Sequence, residues 1–279
     1  MTDFVIRNHK GRPGVGRFIG ESLGLYEATS RQPTVKRDSE SVAVNYGVSR
    51  PIRWIDNDNI INTPLAVHSC VNKLATLKIL RDNNVPTVLW TQNKENAMDY
   101  VKYNGPVYCR TLLNSKQGNG IVVAKSADEV VDAELYTYSV DIKDEFRVHV
   151  AGNRHTGDYA MIDFTQKKRM GSKKLAARGI KKPDLAIRNR KRGWVMAHNI
   201  SDEYMTAAFR EHIEWLAVQA ARALDIDYAG VDMALDSSGQ LIILEVNSAP
   251  GMSKSTTKAA YVKYFEQRIA QQQNFAEAS

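Results

Sequence analysis

At 279 residues, 43% of them hydrophobic, the chain has enough apolar surface for one large core or two to three smaller packed units. No apolar run approaches the ~18 residues needed to cross a bilayer, and the N-terminus MTDFVIRNHKGRPG lacks an apolar signal segment, so a cytoplasmic protein is expected. Cys70 and Cys109 stand far apart without CxxC spacing, which argues against a disulfide framework or a zinc site and for two buried free thiols. The net charge of +7 is a local property. The span 167–192 holds twelve Lys or Arg and one acid, Asp184, a sum of +11 that leaves the rest of the chain at −4.

The first sixty residues alternate FVI, VAVNY and IRWI with Gly, Pro and charge, predicting a small open α/β unit. Within it GRPGVGRF, 11–18, has P-loop glycine spacing, but Arg17 and Phe18 stand where Lys and Ser/Thr would supply the phosphate ammonium and the magnesium hydroxyl. It is read as an irregular loop. Nor is a GxGxxG seen to follow a strand and open a helix, which argues against a dinucleotide-binding dehydrogenase.

Thr63 and Pro64 suit a helix start, and Val67, Val71, Leu74, Leu77 and Leu80 recur at helical spacing, predicting a helix near 64–83. VPTVLW, GPVYCRTLL and GIVVA read as short strands of a mixed or antiparallel sheet, and EFRVHVAG and DYAMIDFTQKKR as a hairpin turning at GNRHTG. Ser201 is expected to cap a long helix marked by Ala208, Phe209, Ile213, Leu216, Ala220 and Leu224. A hairpin and a final helix close the chain, with the Gln-rich tail after Arg268 expected to fray.

The closing hairpin, GVDMALDSSGQLIILEVNSAPG, carries the strongest chemical signal. If its Asp236–Gly239 turn sets Leu235 opposite Gln240, Asp232 falls opposite Ile243. Period-two alternation then puts Asp232, Glu245 and Asn247 on one face, and Val231, Met233, Leu235, Ile242, Leu244 and Val246 on the other. Two carboxylates ~4 Å apart repel by about 4 kcal/mol at an effective dielectric near 20, which calls for a cation or a shared proton. Hard oxygen donors without His or Cys suit Mg²⁺.

The run from Asp232 to Gly251, above all ILEVNSAPG, resembles the metal-binding hairpin of the ATP-grasp superfamily, which includes D-alanine:D-alanine ligase and the ribosomal-protein glutamate ligases. The resemblance extends from about Ala43 to Ile269. It implies an α/β (α+β) protein of ATP-grasp fold, with two α+β subdomains sandwiching ATP: an N-terminal unit at 1–62, a small subdomain with the glycine loop at 63–134 and a larger one with the metal hairpin at 135–279. It also implies two Mg²⁺ ions, with Mn²⁺ an admissible substitute, one held by Asp232 and Glu245 and the second by Glu245 and Asn247. Lys73 would reach the nucleotide phosphates, and Arg110 stands where the family has a second phosphate lysine. The loop 114–120, with Gly118 and Gly120, resembles the one that closes over ATP. Backbone groups of Tyr138 and Val140 would read the adenine edge, Glu145 would accept from the ribose hydroxyls, and Lys167 or Lys168 would add another phosphate contact. IRNRKRGW resembles the family's Arg-Asn element, making Arg188 the candidate for stabilising charge on the reacting species.

The expected activity is therefore ATP-dependent ligation of a carboxylate and an amine through an acyl phosphate, with release of ADP. The basic run 167–192 is read as a wall that attracts an anionic substrate such as an acidic peptide or protein tail. Two rivals remain. One is a basic nucleic-acid-binding protein, suggested by a pI near 9.3 but disfavoured because only Trp194 accompanies the basic run. The other is a fold relative that binds ATP without ligating. A membrane partner is not expected, and an oligomer is compatible with the sequence.

Overall fold

A computed structural model describes residues 2–8, 14–114, 119–252 and 254–278, excluding the side chains of 274–278. It contains three sheets. The N-terminal unit is a parallel sheet of β1 (Phe4–Ile6), β2 (Tyr26–Ala28), β3 (Ala43–Asn45) and β4 (Ile60–Ile61), in the order β2-β1-β3-β4. Helix α1 (Val15–Leu23) connects β1 to β2. Val15–Phe18 of GRPGVGRF are thus helical, where the sequence reading expected an irregular loop. Residues 9–13 lie outside the described residues. The glycine spacing has a packing reason: a Cβ on Gly16 would lie 2.8 Å from the Arg7 side chain, and one on Gly20 2.8 Å from Val5, so bare glycines let α1 rest directly on β1.

The expected helix over 64–83 is two helices, α2 (Pro64–Val71) and α3 (Lys73–Asp82). Thr63 caps the first as anticipated, accepting from the Ala66 N–H. Asn72 adopts extended backbone between them, and its side chain caps the second by accepting from the Ala75 N–H. Continuous helical periodicity hid this break because the apolar positions on both sides still face a core. Its consequence is functional, for Lys73 becomes the first residue of a new helix.

The small antiparallel sheet comprises β5 (Trp90–Thr91), β6 (Val107–Arg110), β7 (Ile121–Ala124) and β8 (Leu135–Tyr138), in the order β5-β8-β6-β7, covered by α4 (Lys94–Tyr103). The large antiparallel sheet comprises β9 (Ile142–Asn153), β10 (Asp158–Arg169), β11 (Trp194–Ala197), β12 (Tyr228–Asp236) and β13 (Leu241–Asn247), in the order β11-β10-β9-β12-β13. The short helix α5 (Ser172–Ala176) begins the basic loop between β10 and β11. Helix α6 (Ala207–Ala223) covers one face of the large sheet, packing Ile213, Leu216 and Ala220 on Phe146, Val148, Val231 and Met233. Thr206, not Ser201, caps α6, because Asp202–Tyr204 form a separate turn of 3₁₀ helix.

The last helix, α7 (Ser255–Ala278), does not fray after Arg268. Arg268 donates to Gln272 and Asn153, Gln272 reaches the Asp58 carbonyl and Gln273 reaches Asp3, so the polar tail is tied to the N-terminal unit. Tyr261 and Phe265 fill a second core with Tyr228, Val44 and Ile61.

The N-terminal unit is joined to the large sheet through a buried charge. Asp227 accepts from Arg154 Nη1 at 2.6 Å and from the Asn62 N–H at 2.7 Å. Asn62 takes a left-handed backbone, φ 65°, and its side chain pairs with the backbone of Tyr228. Replacing Asp227 with Ala should strand the Arg154 guanidinium in the interior and destabilise the fold by about 3–5 kcal/mol. A urea titration checks this, since an unchanged midpoint would show that the pair does not hold the units together.

Candidate active site

One face of the large sheet is covered by α6, and alternation puts the polar residues of its strands on the other. The β12–β13 register differs from the sequence reading. Leu235 pairs with Leu241 and Met233 with Ile243, then a bulge shifts the count so that Asp232 pairs directly with Glu245 and Gly230 with Asn247. Leu241 and Ile243, not Ile242 and Leu244, therefore share the core with Val231, Met233 and Val246. The bulge returns Glu245 and Asn247 to the face of Asp232, so the expected cluster exists although its register was misassigned.

Residues of that face form three rows across the strands. Glu245, Asp232, Arg147 and Thr165 are register partners in sequence, as are Asn247, Gly230, His149 and Asp163. Glu145 lies opposite Ala234, and Lys167 opposite Met196. Gly230 must lack a side chain, because a Cβ there would lie 2.8 Å from Pro250, where the chain folds back past the strand.

Charges along the rows are compensated pair by pair. Arg147 grips Asp232 bidentately, at 2.7 and 2.8 Å. Burial alone would raise the Asp232 carboxyl, but the Arg147 guanidinium and its hydrogen bonds outweigh it and hold the group below the usual carboxylate range. Lys73, reaching in from the first turn of α3, pairs with Glu245. Asn247 Nδ2 lies 3.4 Å from Asp232. Among the described residues no cluster of three His, Cys, Asp or Glu side chains could hold a metal. Two carboxylates and an amide oxygen do fit Mg²⁺, which binds through few protein ligands and completes its shell with phosphate oxygens and water. The two basic side chains mark where positive charge is needed.

The other expected residues fall on either side. Arg110, on β6, lines a narrow gap with Lys73 and Glu245 and donates to Thr137 at 3.3 Å. Burial depresses its guanidinium somewhat, opposed by Glu245. Gly120 closes the β6–β7 turn at φ 69°, with its carbonyl bonded to the Thr111 N–H, while Gly118 lies outside the described residues. Tyr138 donates its backbone N–H to Leu89 and stacks on Tyr100 at 3.9 Å, so only its carbonyl is left for an adenine edge, and Val140 packs near Leu77 and Leu135. Glu145 is buried and paired with both Lys167 and Arg188. This settles which strand lysine faces inward: Lys167 does, while Lys168 lines a separate cavity. Arg188 sits beside Glu145, donating to the Ile142 carbonyl and lying 5.0 Å over Trp194, and is not brought to Asp232.

The guanidinium at the carboxylate pair is Arg147, which the sequence reading passed over. The signal was there: in EFRVHV, Phe146 and Val148 are core residues, so Glu145, Arg147 and His149 had to share the opposite face.

Residues 199–265 match the RimK-like ATP-grasp domain. A probable alpha-L-glutamate ligase of Psychromonas ingrahamii is 28% identical over 250 residues, 86% of this chain and 74% of that protein. The alpha-aminoadipate–LysW ligase LysX of Sulfolobus acidocaldarius is 23% identical over 70% of this chain and 67% of its own. Among solved structures, D-alanyl-alanine synthetase A from Vibrio cholerae superposes with a TM-score of 0.68 over 98% of both chains at 12% identity. The fold is that of the ATP-grasp ligases, a class that uses ATP and typically Mg²⁺, and the ligase class expected from the closing hairpin is borne out. No helix of the described residues is long and apolar enough to cross a membrane.

His149 supplies a pH test of this face. Burial, followed by the nearby Arg147 charge, pushes its imidazole down to about 4 from 6.5. Above pH 6.5 folded and unfolded forms are both neutral. Between 6.5 and about 4 only the unfolded chain gains the proton, so stability falls as pH drops, by about 2 kcal/mol at pH 5. Unfolding free energies from urea titrations at pH 7 and pH 5 should differ by about that much more in the native protein than in His149→Gln.

Proposed function

We propose that the chain is an ATP-dependent carboxylate–amine ligase that works through an acyl phosphate, releases ADP and phosphate, and acts on an acidic peptide or protein tail. The observation that carries the reading is the convergence of Lys73, Arg110 and Glu245 on one gap, with Arg147 and Asp232 behind it. This set can cradle a triphosphate, and its lysine and carboxylates are paired with opposite charges rather than held as free nucleophiles.

Two Mg²⁺ ions, or Mn²⁺ in their place, would be held by Asp232, Glu245 and Asn247 and would supply Lewis-acid neutralisation of the triphosphate. The chain's own groups do the rest. Lys73 and Arg110 approach from the α3 and β6 side as fixed positive charges, Lys167, held by Glu145, would add another phosphate contact, Glu145 would accept from the sugar hydroxyls, and Tyr138 and Val140 would frame the base. Arg147 stands beside the metal ligands, where it can stabilise negative charge as the substrate carboxylate oxygen bonds to the γ-phosphorus and the β,γ bridge opens.

A cavity of about 260 Å³ lies where the end of β10 meets β11 and the segment before α7, and Lys168, Arg169, Lys174 and Lys254 line it with no acid among them. Lys254 comes from outside the basic run, so separate segments build the cationic wall together. Such a wall raises the encounter rate with an anion. A single-stranded nucleic acid would need exposed aromatic faces, but Trp194 is buried beneath Arg169 and Arg188.

Mg²⁺-ATP should raise the melting temperature, and Glu245→Gln should abolish the part removed by EDTA. An equal shift in the variant, with and without EDTA, would remove Glu245 from the metal site. Replacing the exposed Lys173, Lys174, Lys181 and Lys182 together with Gln should leave ATP affinity largely intact and raise the apparent KM for an oligoglutamate peptide several-fold. Unchanged turnover with loss of oligonucleotide binding would make the wall a nucleic-acid site.

A further inference from the structure

The donors proposed to hold Mg²⁺ are engaged by the chain's own cations and amide protons. Glu245 pairs with the Lys73 ammonium, Arg147 grips Asp232 at 2.7 and 2.8 Å, and Asn247 turns its amide nitrogen toward Asp232 at 3.4 Å. We propose that Lys73 and a divalent metal compete for Glu245, and that ATP ends the competition by drawing the Lys73 ammonium onto its phosphates. Metal affinity then depends on nucleotide. The inference rests on the ligase reading above and concerns how that site is loaded.

Of the basic side chains paired on this face, Lys73 is the one built to exchange. Arg147 holds Asp232 with a rigid two-pronged fork, and both side chains are largely buried. A carboxylate has about four lone-pair sites, so Asp232 can stay in that grip and still offer oxygen to a metal. Lys73 presents a single point charge on a flexible stem, and its partner Glu245 has a side chain 37% exposed, open toward the gap. Lys167 is paired as well, but with Glu145, which is not among the proposed metal donors.

The stem swings from a fixed anchor. Asn72 caps α3 by accepting from the Ala75 N–H at 3.0 Å, and the Lys73 N–H donates to the Leu113 carbonyl at 3.3 Å, just before the loop 114–120. The main chain stays in place while the side chain carries its charge from Glu245 to a phosphate.

Lys73 and the metal exclude one another by volume and by charge. The gap bounded by Lys73, Arg110 and Glu245 measures about 10 Å³, room for no more than one water. Mg²⁺ brings a shell of oxygens at ~2.0–2.1 Å and cannot settle there beside the ammonium. Asp232 and Glu245, set against Arg147, Lys73 and Arg110, leave the site one positive charge in excess. A divalent ion entering alone adds two more. ATP brings about four negative charges, which two Mg²⁺ ions cancel, so joint entry leaves the balance unchanged. Such coupling is reciprocal, and metal strengthens nucleotide binding by the factor that nucleotide strengthens metal binding.

The test reads metal binding itself, by electron paramagnetic resonance of Mn²⁺ added to the full-length protein without nucleotide. Calorimetry with the β,γ-methylene analogue of ATP measures nucleotide affinity separately. Lys73→Met should raise the nucleotide-free Mn²⁺ affinity roughly 10-fold or more over the native protein while weakening the analogue. Adding Glu245→Gln to that variant should abolish the gain. Lys167→Met is the control, because it removes an equal charge and a proposed phosphate contact without touching Glu245. It should weaken the analogue and change Mn²⁺ affinity no more than a few-fold. A Lys73→Met variant that binds Mn²⁺ no better than Lys167→Met would overturn the proposal. If Lys73→Met does not fold, Lys73→Gln, which keeps an uncharged donor toward Glu245, should show a rise in the same direction, and its absence would overturn the proposal equally. Failure of the native protein to bind the analogue in the presence of Mn²⁺ would overturn the ligase reading and this inference with it, whereas analogue binding with unaltered Mn²⁺ affinities would overturn this inference alone.

Discussion

Asp232 and Glu245 are register partners on neighbouring antiparallel strands, and two ionised carboxylates held that close cannot persist without positive charge between or beside them. At ~4 Å the repulsion is about 4 kcal/mol at an effective dielectric near 20, comparable with much of a domain's net stability. The architecture answers this in two places. Arg147, one strand over in the same row, grips Asp232. Lys73 reaches Glu245 only because the helix breaks at Asn72 and restarts with Lys73 in its first turn. The bulge in β13 and the bare Gly230 belong to the same arrangement: one keeps Glu245 and Asn247 on the active face, and the other lets the following segment fold across it.

That constraint explains what was legible in the sequence. A period-two pattern of apolar and acidic residues around a tight turn identified the hairpin and its shared face, because burial of Val231, Met233 and Val246 leaves the acids no other side. The bulge was not legible, since an extra residue that restores the face leaves the polar set unchanged. Nor was the break at Asn72, because apolar periodicity continues across it. The GRPGVGRF segment was rightly denied a phosphate-loop role but read as an irregular loop, because Gly16 and Gly20, which let α1 lie close on β1, are residues that also punctuate loops. Arg147 was missed because a single charge within a β-strand announces itself only once its neighbours are known to be core.

The basic loop between β10 and β11 is organised by its one acid. Asp184 accepts from the Ala186 and Ile187 N–H groups and pairs with Arg192, and its carbonyl receives the Trp194 indole N–H. Arg188 is thereby directed inward to Glu145, while Lys173, Lys181 and Lys182 remain exposed. Tyr108 of the small sheet donates to the Ala186 carbonyl at 3.2 Å, so the loop also spans the two halves that would enclose a nucleotide. One segment thus sends Arg188 inward to Glu145 and leaves its lysines at the surface, the arrangement that the proposed cationic wall uses.

The central claim is that a substrate carboxylate attacks the γ-phosphorus of ATP at the Asp232–Glu245 end of the sheet. Its most direct test follows the oxygen. An acid labelled with heavy oxygen in its carboxylate is turned over with Mg²⁺-ATP, and the products are read by phosphorus NMR and mass spectrometry. The acyl-phosphate route predicts one labelled oxygen in each released inorganic phosphate, with ADP unlabelled. Label appearing in AMP, or inorganic phosphate carrying none while the new amide forms, would contradict it.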